Sequence, residues 1–164
     1  MVRRTTREVV KPWKYRGEFI DSLEDCPEGS YGFIYLITSS SGQKYIGKKA
    51  LHSYHTVYSR VLNERTGRTN KVKNVEVTES NWQSYFGSSI EIKNLIKSEG
   101  TKQNFSREIL RFCFSKKELT FREIQEQCSR NVLDDDCYIN SNIAGKFFKG
   151  EFVKHETGIK SKEA

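Results

Sequence analysis

Two tyrosines, Tyr35 and Tyr45, stand ten residues apart, and Lys48 and Lys49 follow the second. A phenol has a reference pKa near about 10 and is a poor base at neutral pH. An ammonium within a few ångströms favours the phenolate, so a tyrosine beside a lysine can take a proton from water. The same stretch is strongly charged. From Gly42 to Val75 there are eight basic residues, Lys44, Lys48, Lys49, Arg60, Arg65, Arg68, Lys71 and Lys73, against one acid, Glu64. That excess equals the whole formal net charge of +7. A concentrated positive field draws polyanions and releases their condensed counterions. Nucleic acid is therefore the expected partner, and Arg60, Arg65, Arg68, Lys71 and Lys73 are the expected contacts.

The tyrosines need elements to hold them. Tyr31–Thr38 is aromatic and β-branched, which reads as a buried strand. The turn signal Ser39-Ser40-Ser41-Gly42 leads to a second run, Gln43–Lys49, so the two form a hairpin. Leu51, Tyr54, Val57, Tyr58, Val61 and Leu62 recur at three and four residues, which predicts a helix opening the 50–80 stretch. A long loop is expected from Arg65 to Ser80. Ser88-Ser89-Ile90-Glu91 reads as a capping box for a helix that Gly100 stops. The helix start at Gly87-Ser88-Ser89 offers free N–H groups to a phosphate, although a plain cap explains the same residues. Trp82 is placed either in the core or as a stacking surface for a base. Asn104–Cys113 reads as a strand. A second capping box, Ser115–Glu118, opens a helix whose apolar face is read as Phe121, Ile124, Cys128 and Val132, with Glu123 at its border. Hairpin, helix, strand, helix makes an α+β fold, an antiparallel sheet with helices packed on it.

The surrounding residues add a resemblance. Gly32-Phe33-Ile34-Tyr35 and, ten residues on, Tyr45-Ile46-Gly47-Lys48 are similar to the paired signature of the GIY-YIG nuclease superfamily, with Phe33 in place of the first glycine. Trp82-Gln83-Ser84-Tyr85-Phe86-Gly87-Ser88-Ser89 and Tyr138–Gly145 resemble segments of a phage-type subgroup related to homing endonucleases. The resemblance covers roughly Tyr31 to Phe148. It implies a small three-stranded antiparallel sheet flanked by helices that cleaves DNA phosphodiesters. It also implies Tyr35 as general base with Tyr45 beside it, and one helical carboxylate holding a divalent cation, magnesium or another such as manganese. Glu123 matches that carboxylate best, with Glu118 and Glu126 as rivals. A hard cation takes oxygen ligands and keeps several waters, so one glutamate suffices. The family's basic residue after the second element has no clear counterpart; His55, Arg60 and the pair Lys48–Lys49 are the candidates. A late asparagine is implied as well, either Asn140 or Asn142.

Composition sets the outer bounds. The chain has 164 residues, enough for one domain with its own core. Its longest apolar run, Phe33–Ile37, is far short of the roughly 20 residues of a membrane span, and no secretory signal is expected. Cys26, Cys113, Cys128 and Cys137 form no metal-ligand spacing, so reduced thiols in a cytoplasm are expected, that of the host cell if the chain is phage-encoded. Residues 1–30 read as a basic arm, 31–148 as the nuclease-like domain and 149–164 as a loose tail. Too few residues follow Phe148 for a separate recognition domain. Specificity is then expected from the basic segment, the arm, self-association or a partner. One site makes one nick per visit, so a homodimer is a route to cutting both strands. A non-catalytic nucleic-acid-binding module, and an interaction domain with inert surface charge, are the competing readings.

Overall fold

The computed structural model describes residues 10–151; the outer parts of the expected arm and tail, 1–9 and 152–164, lie outside the described residues. The centre is a three-stranded antiparallel unit. β3 (Gly32–Ser39) and β4 (Lys44–Ala50) form the expected hairpin, and β7 (Phe105–Cys113) pairs with the other side of β3. The sheet has five strands rather than three, because part of the expected arm belongs to it. β1 (Trp13–Tyr15) and β2 (Glu18–Ile20) turn through Arg16 and Gly17, both at positive φ, and β1 adds parallel to β7. The full order is β2-β1-β7-β3-β4. Positive φ at both central turn residues matches the twist of a tight hairpin. Strands of three residues are too short to show an alternation, which hides them in a polar stretch.

Each face of the sheet has its own core. On one side Trp13, Phe33, Tyr35, Ile37, Ile109 and Phe112 pack with Trp82 and with Ile92 of α1 (Ile90–Glu99). On the other, Ile34, Ile46 and Cys113 lie under Leu119 of α2 (Lys116–Ser129), with Val132 and Tyr138. Helix α1 ends where expected, at Gly100 with φ +76°. Arg107 is 2% exposed and, among the described residues, pairs with no acid; it stacks on Trp13 and Phe86 and donates to the carbonyls of Lys11 and Tyr85.

The 50–80 stretch differs most from expectation. It holds neither helix nor loop. β5 (His52–Asn63) and β6 (Arg68–Glu79) pair in unbroken antiparallel register over their full length, as a two-stranded ribbon separate from the main sheet. Residues three and four apart on a helix face also satisfy a strand when both strand faces carry apolar residues. β-Branched Val57, Val61, Val72, Val75 and Val77 settle the choice for strand. At the tip, the Asn63 carboxamide oxygen accepts from the backbone N–H groups of Arg65 and Thr66, and Gly67 turns the chain at φ +64°.

Candidate active site

The site forms along β4, the outer strand of the sheet. Its outward edge is met by residues 137–140. Lys44 N–H donates to the Cys137 carbonyl and Ile139 N–H to the Lys44 carbonyl. Asn140 then replaces a strand with one side chain: Oδ1 accepts from Ile46 N–H at 3.0 Å and Nδ2 donates to the Ile46 carbonyl at 2.8 Å. Asn140 is 3% exposed, and Gln127 Nε2 donates to the same carbonyl at 3.3 Å. Of the two asparagines left open, Asn140 clamps the middle of the Tyr45-Ile46-Gly47 element. Asn142 holds the next turn, its Oδ1 accepting from Gly145 N–H. Both face one cavity of about 180 Å³, with Tyr45, Glu91, Glu123 and Gln127.

Strand alternation divides the motif residues between the two faces. Tyr35, Tyr45 and Lys49 point to the α1 side, and Lys48 to the α2 side. Lys48 Nζ lies 2.9 Å from Glu123 and donates to Thr120 at 3.2 Å. Lys49 Nζ donates to Asn81 Oδ1 at 2.7 Å and stands over the Tyr85 ring at 4.2 Å, where burial lowers its pKa. The lysine pair is therefore two separate devices.

The tyrosines are not equivalent. Tyr35 is 1% exposed, boxed in by the rings of Trp13, Phe33, Tyr45 and Tyr85. Burial, then the nearby Tyr45 and Tyr85, push its pKa well above the usual phenol value. Tyr45 is half-buried and lines the cavity. Burial raises its pKa too, opposed by a hydrogen bond with Ser89. Neither lysine is among the groups that shift these phenols; Lys48 and Lys49 engage Glu123 and Asn81. Two glycines make room. A Cβ on Gly47 would stand 2.5 Å from Tyr35 Oη and 3.1 Å from the Tyr45 ring; one on Gly87 would stand 3.3 Å from Tyr35 Oη. The register of β7 against β3 also shifts between Ile34 and Tyr35. Such bulges re-aim side chains beside sites.

Helix α2 is phased differently from the sequence reading. Phe121 is 60% exposed and Cys128 is exposed, whereas Leu119 and Gln127 are buried. The inward stripe is Leu119–Glu123–Gln127 at four-residue spacing, which carries Glu123 into the cavity rather than to a border. The rivals are engaged elsewhere: Glu118 accepts from Phe114 N–H, and Glu126 pairs with Arg130.

A second carboxylate was hidden by the cap. Ser89, not Ser88, caps α1, so Glu91 is released from a capping box and turns into the cavity. A hydrogen bond from the Ser141 hydroxyl holds its pKa below the usual value. Ser88 is exposed outside the cavity lining. Trp82 is fully buried, donating to Glu79, and belongs to the core rather than to a stacking surface. His55 and Arg60 lie out on the ribbon, with Arg65, Arg68, Lys71 and Lys73. His55 faces Glu76 across the strands, and neither it nor Arg60 lines the cavity.

The donor set suits a hard cation. Glu123 and Glu91 offer carboxylate oxygens, and Gln127 Oε1 is buried without a hydrogen-bond partner one helical turn beyond Glu123. Among the described residues no three His, Cys, Asp or Glu side chains cluster.

Comparison with known families supplies the last observation. The family model described as "Putative endonuclease segE, GIY-YIG domain" matches residues 13–143. Neither a curated protein nor a solved structure matches the chain. The match begins at the first strand of the sheet and ends at Ile143, so it takes in the β1–β2 hairpin, the ribbon and every residue of the cavity except Ala144. The chain belongs to the SegE-type GIY-YIG endonuclease-domain family.

Proposed function

We propose that the protein is a metal-dependent endonuclease that hydrolyses DNA phosphodiesters at the β4-edge cavity. The observation that carries this is the meeting of Tyr45, Glu123 and the Asn140-clamped Ile46 backbone around one polar cavity, with Lys48 on Glu123. Glu123 would hold the divalent cation, magnesium or manganese, with the Glu91 carboxylate and the Gln127 side chain lining the same cavity. When bound, the cation polarises the scissile phosphate and stabilises the leaving oxygen.

The residues of the chain do the rest. Tyr45 is the phenol that reaches water; its phenolate form accepts the proton of the attacking molecule and becomes the neutral phenol, leaving hydroxide to attack phosphorus. Tyr35 lies against it at 6.3 Å and fixes its ring, itself held by Tyr85. Lys48, released from Glu123 as the site fills, is the charge that neutralises the phosphate in place of the family arginine. Asn140 keeps the Tyr45-Ile46-Gly47 backbone rigid. One cavity per chain makes one nick at a time, and double-strand cleavage proceeds through two copies. The free state of Cys26, Cys113, Cys128 and Cys137 supports action in a reducing cytoplasm.

Supercoiled plasmid incubated with the protein and Mg²⁺ or Mn²⁺ tests this reading. Nicked or linear product that disappears on chelation is expected. Plasmid that stays intact with either metal while binding the protein would make the chain a non-catalytic nucleic-acid-binding module.

A further inference from the structure

The ribbon has two unlike faces. Paired residues of an antiparallel ladder share a face, so the register sorts every side chain. One face of the outer half carries the rungs Tyr58–Lys73, Arg60–Lys71 and Leu62–Thr69. The other carries Ser59–Val72, Val61–Asn70 and Asn63–Arg68. Contacts agree with the sorting: Lys71 Nζ stands over the Tyr58 ring at 4.1 Å on the first face, and Asn74 donates to Ser59 on the second.

Three cations, Arg60, Lys71 and Lys73, thus crowd two successive rungs, and no acid shares those rungs or the next. Like charges directly opposite each other destabilise a ladder. The ribbon also leaves Tyr58 55% and Leu62 59% exposed, and a two-stranded hairpin alone is marginal in water. A polyanion lying on this face relieves the repulsion and covers the apolar surface together.

We propose that the Arg60–Lys71–Lys73 face of the ribbon is a duplex-DNA-binding surface that lies in the major groove. The groove is about 12 Å wide and admits a two-stranded ribbon, whereas the minor groove, about 6 Å wide, does not. Strands of 12 residues reach roughly 40 Å from the sheet. The ribbon follows β4, whose Tyr45 lines the cavity, with only Leu51 between Ala50 and His52, so DNA held by the ribbon runs beside the strand that carries the site. Arg60 and Lys71 are of the types that donate to guanine O6 and N7, while Arg65 in the tip turn is placed for a flanking phosphate. The ribbon then supplies the target preference of a chain whose cavity contacts only the phosphodiester.

This rests on the reading of the domain as a DNA nuclease, but its test does not need cleavage. Duplex affinity is measured against salt for the full chain, for the triple variant Arg60→Ala, Lys71→Ala, Lys73→Ala, and for the opposite-face variant Ser59→Ala, Asn70→Ala, Asn74→Ala. Methylation of guanine N7, a major-groove atom, is mapped on the bound duplex. The triple variant should flatten the log–log salt slope by about 2.7, at about 0.9 per lost phosphate neutralisation, or by less where a cation reads a base. It should also lose N7 protection, while the opposite-face variant keeps both. Equal effects from the two faces, an unchanged slope, or a concentration-dependent dimer that only the triple variant abolishes would overturn the proposal. Binding with this pattern but without cleavage would remove the nuclease reading and leave the ribbon surface standing.

Discussion

At the residue scale, the two tyrosines of the motif divide by burial. A side chain 1% exposed meets no bulk water, so the proposed reaction assigns Tyr35 to shaping the site and Tyr45, which lines the cavity, to the proton transfer. Burial raises the Tyr45 pKa, which leaves a neutral phenol at pH 7 and a phenolate fraction that grows tenfold per pH unit. Nicking should therefore climb with pH between about 6 and 9, with a log–log slope near 1. Tyr45→Phe should lose about 10²–10⁴-fold in rate and flatten that slope. A pH–rate series on both proteins checks this; a Tyr45→Phe enzyme with the parental slope places the proton elsewhere. The tyrosine pair and Glu123 were legible as types and order in the sequence. Their unequal exposure was not, because it arises from Trp13 and Tyr85, remote in the chain and brought in by packing.

At the element scale, two helices were legible and their phases were not. Capping serines and Gly100 mark the ends of α1, but the cap falls on Ser89, one residue later than the Ser-x-x-Glu pattern places it. That one-residue slip conceals Glu91. On α2 the apolar residues Phe121 and Cys128 point to solvent while Gln127 is buried, since the helix packs on a strand edge whose Ile46 carbonyl takes a second donor beside Asn140. A hydrophobic pattern has no means of showing that demand. The β3–β4 hairpin, in contrast, followed directly from two β-rich runs across a Ser/Gly turn. Its closeness is set by Gly47, where Tyr35 Oη occupies the space of a side chain. Gly47→Ala should displace both phenols, cost about 1–3 kcal/mol of stability, and remove nicking well below the unfolding temperature. Thermal melts beside activity assays separate the two effects; a fully active, equally stable variant would show that the close approach is unimportant.

At the scale of the whole molecule, the three-stranded antiparallel centre was readable because each strand is seven to nine residues long and strongly patterned. The β1–β2 hairpin was not, since three-residue strands carry no period. Yet Trp13 is fully buried, donates from its indole N–H to the Trp82 carbonyl and packs on Phe33 and Tyr35. Residues 13–20 thus belong to the sheet and its core. Trp13→Ala should cost about 3–5 kcal/mol, read by chemical denaturation, whereas a loss below 1 kcal/mol would return residues 13–20 to the status of an arm. The ribbon was missed for the opposite reason. It buries little, so neither face shows the one-sided pattern from which strands are recognised.

The central claim is that a carboxylate on α2 and a phenol on β4 act together on one phosphodiester. The most direct measurement is the single-turnover nicking rate of Glu123→Ala in Mg²⁺, taken beside its duplex affinity. A rate lower by about 10²-fold or more is expected, with affinity near that of the parent chain, because the proposed scheme has the ribbon hold DNA and Glu123 serve only the chemistry. A Glu123→Ala protein that nicks at the parental rate would contradict it.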